Sequence, residues 1–169
     1  MDLSMRRRNV LATLAAGVVS VGGCIGGGSE VVTSVQRSIS VSPGQGWIER
    51  IPDTDGGAVQ YKARADRPFD VYFFTSEEDF MFYDTYVDGG DPARTPKGHG
   101  KIGTRAEQVT DTTYEAATPS GGARQKIGTD GPYFFVLDHS RYRASTGPSD
   151  NPSPLSVFLD LTVTERTFP

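Results

Sequence analysis

Asp138, His139 and Ser140 place a carboxylate, an imidazole and a hydroxyl in consecutive positions, the three residue types of a nucleophilic relay. Neighbours at a strand end point in alternate directions, whereas a relay needs its members to converge, so the three read as a strand-to-loop turn and no catalytic residue is assigned. His99, between Gly98 and Gly100, and His139 are the only imidazoles, too few for a zinc site without further nitrogen or sulfur donors. Asp53 and Asp55 before Gly56-Gly57, and Asp84, Asp88 and Asp91 further on, offer hard oxygens to calcium, but neither string closes with the glutamate of a calcium loop. No metal or cofactor is expected. Trp47, Tyr83, Tyr86, His99 and His139 stand as candidate contacts for a partner or small ligand, since aromatic and imidazole groups outside a core commonly serve that purpose. Cys24 is the single cysteine, so no disulfide can form within the chain and its thiol is left for other chemistry.

The elements that would position these groups read as short strands. Val31, Thr33, Val35, Ile39 and Val41 alternate along a first strand interrupted by Arg37, and Ser42-Pro43-Gly44-Gln45-Gly46 turns the chain. Trp47 to Ile51 is a second strand, and Val59, Tyr61, Ala63 and Ala65 alternate with polar residues in a third. Phe69 to Phe74 is a fourth, after which Ser76 has the chemistry of an N-cap for a short acidic helix ending near Tyr83, with Phe80 and Tyr83 facing inward. Met81, Phe82 and Tyr86 crowd the same span and would leave an exposed patch if only half of these side chains pack. Residues 84–104 carry seven glycines and prolines between Gly89 and Gly103, and read as a long surface loop that, with the polar loop Arg141–Pro154, is the favoured binding surface. Weaker strands follow at 106–109, 112–117 and 123–127. Tyr133 to Leu137 reads as a strand buried on both faces, and Val157 to Val163 as a long final one. About eight strands at regular spacing, one short helix and an N-terminal signal segment predict an all-β antiparallel sandwich.

The N-terminal segment has a different character. Arg6, Arg7 and Arg8 precede the twelve apolar and small residues Val10–Val21, far short of the roughly 20 needed to span a bilayer. The string Arg7-Arg8-Asn9-Val10-Leu11 resembles a twin-arginine export signal, with general secretion the alternative route. Val21-Gly22-Gly23-Cys24 resembles the lipobox of prokaryotic lipoproteins, although leucine is usual where Val21 stands. These resemblances imply a signal peptide over 1–23, the export machinery as a partner, and Cys24 as a lipid-attachment site holding the protein to the outer face of the cell membrane. Residues 24–30, rich in glycine, form a tether, and 31–169 a single domain.

Removing residues 1–23 leaves 14 basic against 20 acidic side chains, a balance that argues against nucleic acid as a partner. The excess of Arg (13) over Lys (4) and of Asp (14) over Glu (7) resembles proteins of salt-loving archaea. Phe69-Asp70-Val71-Tyr72-Phe73-Phe74 with its acidic helical turn, followed later by Gly131 to Ser140 and the closing strand Leu155–Thr164, resembles the GOLD type of β-sandwich over about 39–164. His139 stands where that family has asparagine. The resemblance implies a protein or lipid interaction module without catalytic residues. The expectation is thus a lipid-anchored, non-enzymatic binding module; the alternatives are an accessory subunit of an envelope or transport complex and an extracellular hydrolase.

Overall fold

A computed structural model describes residues 28–54, 56–116, 123–128, 131–143 and 153–167. Arg7, Arg8 and Cys24, most of the tether, Asp55 and most of the 141–154 loop lie outside the described residues. Among the described residues, ten strands and one helix run in the order β1 (Ser29–Val41), β2 (Gly46–Ile51), β3 (Gly57–Ala65), β4 (Asp70–Phe74), α1 (Glu77–Val87), β5 (Thr104–Arg105), β6 (Glu107–Thr110), β7 (Thr113–Ala116), β8 (Ala123–Ile127), β9 (Tyr133–Asp138) and β10 (Leu155–Arg166).

The strands form two antiparallel sheets. The larger has the order β1-β10-β3-β7-β6, and β8 joins the same edge of β3 ahead of β7: β8 pairs with Gly57–Tyr61 and β7 with Ala63–Ala65. The smaller has the order β2-β9-β4-β5. Alternation decides which side chains meet between them. From the larger sheet Tyr61 and Ala63 of β3 and Leu155, Val157, Leu159, Leu161 and Val163 of β10 face inward; from the smaller come Val71, Phe73, Tyr133, Phe135 and Leu137. The polar residues alternating with them on β3, Gln60, Lys62 and Arg64, are exposed.

The smaller sheet is covered on its other face too. Tyr72, Phe74, Phe134 and Val136 meet Tyr83 and Phe80 of α1 and Tyr142, so every residue of β4 and β9 is buried. Phe80 stacks on Phe134 with ring centroids 4.0 Å apart. The fold is therefore an all-β sandwich with a helix laid over one outer face, as the doubly apolar runs in β4 and β9 require.

Two local readings change. Val31 points outward at 55% exposure because a register irregularity between Val31 and Thr33 shifts the alternation, and Val32 packs against the core instead. The helix continues past Tyr83 to Val87, since its stop signal lies at Gly89-Gly90: Gly89 N–H donates to the Tyr86 carbonyl (2.9 Å) and Gly90 N–H to that of Thr85 (2.8 Å), a Schellman ending. Its start is as expected, with Ser76 Oγ accepting from the Asp79 N–H at 3.2 Å.

Candidate functional site

The end of β9 carries the most polar part of the interior. Asp138 is fully buried, and its Oδ1 accepts hydrogen bonds from the Tyr83 hydroxyl (2.6 Å) and the Ser140 hydroxyl (2.7 Å). Tyr83 reaches it by lying over Gly46, which pairs with Asp138 in the β2–β9 ladder; a Cβ at Gly46 would overlap the tyrosine oxygen. Glycine is thus demanded here by close approach. Burial drives the Asp138 carboxyl up to about 6, with the Asp70 charge adding to the rise and the two hydroxyl donors opposing it. Asp70, opposite Asp138 in the β4–β9 pairing, is itself gripped by Arg105 at 2.9 and 3.3 Å.

This geometry disposes of the relay suggested by three consecutive residues. Ser140 donates its hydroxyl proton to Asp138 rather than to an imidazole, and its oxygen accepts the Tyr142 N–H at 3.1 Å. His139 is buried (2% exposed), and burial, with the charge of Arg67, lowers its pKa while the Ser153 backbone opposes the shift. Its backbone is stitched to the Pro43-Gly44 turn through Gly44 N–H to the His139 carbonyl (2.8 Å) and His139 N–H to the Gln45 carbonyl (2.9 Å). These three residues hold one end of the sandwich together and assemble no nucleophile–base pair.

A concave surface of about 600 Å³ opens elsewhere, between loop 98–103 and β8, lined by His99, Gly100, Lys101, Arg124, Gln125 and Lys126. The loop is fastened to the sandwich end. His99 N–H donates to the Phe73 carbonyl (2.7 Å), while Ile102 and Gly103 donate to the His99 carbonyl at 3.1 and 2.9 Å. Gly98 has φ +67°, and a Cβ there would collide with the Phe73 oxygen, so only glycine lets the loop lie this close. Ile102 is buried as a plug, and its carbonyl accepts the Tyr61 hydroxyl at 2.5 Å. Tyr61 also pairs with Ala123 in the β3–β8 ladder, so one residue braces both walls of the groove.

Of the five candidate contacts, only His99 lines this groove. Tyr83 is a core residue, His139 is buried beneath backbone, Trp47 packs against the main core, and Tyr86 joins the cluster under α1. The expected aromatic patch also shrinks: Phe80, Tyr83 and Tyr86 turn inward, Phe82 lies beneath the Arg94 guanidinium (4.7 Å to the ring centroid), and Met81 is left exposed. Lys101, Arg124 and Lys126 were not singled out from sequence, where the alternation of Arg124 and Lys126 about Gln125 was the available signal. Among the described residues no three His, Cys, Asp or Glu side chains converge as metal ligands, and no helix is long and apolar enough to cross a membrane.

No protein-family model matches the chain, and no curated protein matches it.

Proposed function

We propose that the chain is a non-enzymatic binding module, exported and held by lipid on Cys24 at the outer face of the cell membrane, where the groove beside loop 98–103 meets its ligand. The observation that carries this reading is the placement of Cys24. It follows a basic segment and a short apolar run, and stands only five residues before the first strand at Ser29. A lipid at that position would moor the sandwich by a short glycine-rich leash without any membrane-spanning helix. The similarity to GOLD-like interaction modules agrees with a binding role.

The test compares the natural chain with Cys24→Ser by cell fractionation and intact mass. The natural chain is expected in the membrane fraction with residues 1–23 removed and a lipid on the new N-terminus, and Cys24→Ser in the medium. Membrane retention of Cys24→Ser equal to that of the natural chain would defeat the anchor. Arg7→Lys combined with Arg8→Lys is expected to leave precursor inside the cell; normal export of that variant would assign the general secretory route instead.

A further inference from the structure

The chain as a whole is acidic, with a formal net charge of −4. The groove between loop 98–103 and β8 reverses that sign. Three of its six lining residues, Lys101, Arg124 and Lys126, are cations, a fourth is His99, and none is a carboxylate. Other arginines of the molecule do form ion pairs: Arg94 with Glu78 and Asp79 at 2.8 and 3.2 Å, Arg105 with Asp70 at 2.9 Å, Arg67 with Asp66 at 3.5 Å. Among the described residues neither Lys101, Arg124 nor Lys126 takes part in an ion pair.

Backbone fixes the positions from which these side chains start. Arg124 and Lys126 are two apart on β8, so they leave the same face of the strand about 7 Å apart. Lys101 is delivered from the opposite wall by the loop that Gly98, the Phe73 carbonyl and the Ile102 plug hold in place. The Tyr61 hydroxyl bond to Ile102 and the Tyr61–Ala123 pairing fix the separation of the two walls. A guanidinium fork and two ammonium groups bordering one concavity match an anionic group of more than one charge and several acceptor oxygens, which describes a phosphoryl group better than a single carboxylate.

We propose that this groove, the ligand site of the binding module put forward above, takes a phosphoryl-bearing ligand held by Lys101, Arg124 and Lys126, with His99 at its rim. Such a group reaches the site either as the headgroup of an anionic phospholipid or as a soluble phosphate ester.

The experiment uses the full chain carrying Cys24→Ser, so that an acyl anchor cannot itself bind vesicles. Calorimetric titration with inorganic pyrophosphate, and flotation with phosphatidylcholine vesicles with and without phosphatidylglycerol, are compared with the same measurements on Arg124→Gln/Lys126→Gln. A charge-matched control, Arg37→Gln/Lys62→Gln, removes two exposed cations outside the groove. The groove variant is expected to lose about tenfold or more in affinity with an unchanged melting curve, while the control keeps its affinity. Pyrophosphate binding alone assigns a soluble ester, and added flotation dependent on phosphatidylglycerol assigns a headgroup. No binding of either probe, or equal loss in the groove variant and the control, overturns the site. Since membrane retention through Cys24 is read separately on the natural chain, failure here leaves the tethering reading standing or falling on its own result.

Discussion

Asp138 is the residue where burial and charge are most directly opposed. The folded chain holds its proton up to about pH 6, whereas an ordinary aspartate releases it near 3.8. Between those values the folded state binds more protons than the unfolded one, so this residue's contribution to stability falls as pH rises from about 4 to about 6. Below that window both states are protonated and nothing is lost; above it the cost of the buried carboxylate is complete, about 3 kcal/mol. Asp138→Asn places a neutral amide of the same shape against Tyr83 and Ser140. The repulsion from Asp70 is part of the penalty that the neutral amide removes. Urea unfolding is expected to show the stability of the variant relative to the natural chain rising by about 3 kcal/mol between pH 4 and pH 7. A difference that stays constant across this range would mean that the ionised carboxylate carries no penalty. In the sequence Asp138 could be read only as a turn residue, because its principal partner, Tyr83, lies 55 positions away. The tell-tale Gly46 under the tyrosine ring looked like one more residue of the Ser42–Gly46 turn.

Local elements were legible wherever the signal is itself local. The alternation of β3, the Ser76 cap and the doubly apolar β9 follow from residue order alone, and they stand in the structure as expected. The end of α1 was missed although its stop signal, Gly89-Gly90, is local, whereas the path of loop 98–103 did not follow because Gly98 shows its purpose only against the distant Phe73 backbone. Gly98 and Gly100 separate these cases. At Gly98 an added Cβ runs into the Phe73 carbonyl and φ is +67°, while at Gly100 it meets only the flexible end of Lys97, 3.7 Å away at the nearest. Gly98→Ala should therefore push the loop off the sheet, loosen the Ile102 plug and cost more than about 1 kcal/mol, and it should weaken binding in the groove at the same time. Gly100→Ala should be close to neutral in both respects. Thermal melts and pyrophosphate titration of the two variants check this; equal effects would show that loop 98–103 is not held by the Phe73 contact.

The molecule as a whole has three layers, the larger sheet, the smaller sheet and α1, and the middle layer belongs to two cores at once. Along β9, Tyr133, Phe135 and Leu137 enter the core between the sheets while Phe134 and Val136 enter the core under the helix; β4 divides in the same way. A strand cannot lose its packing on one face without moving the side chains on the other, because both are carried by a single backbone of alternating orientation. The helix is further tied to the sandwich by the Tyr83–Asp138 bond and by the Gln45 side-chain amide, which donates to the Val87 carbonyl at 2.9 Å. The layers should therefore unfold as one unit. Leu159→Ala, a fully buried deletion between the sheets, is expected to cost about 2–5 kcal/mol. Phe80→Ala, which removes the half-buried ring stacked on Phe134, should cost less, yet lower the same transition. Far-ultraviolet circular dichroism follows the strands, and near-ultraviolet dichroism follows the aromatic cluster of Tyr72, Phe74, Tyr83 and Tyr142. The two signals should melt together in the natural chain and in both variants. An aromatic signal that melts before the strands in Phe80→Ala would show instead that α1 can leave the sheet by itself, and the shared β4–β9 layer would then not couple the two cores.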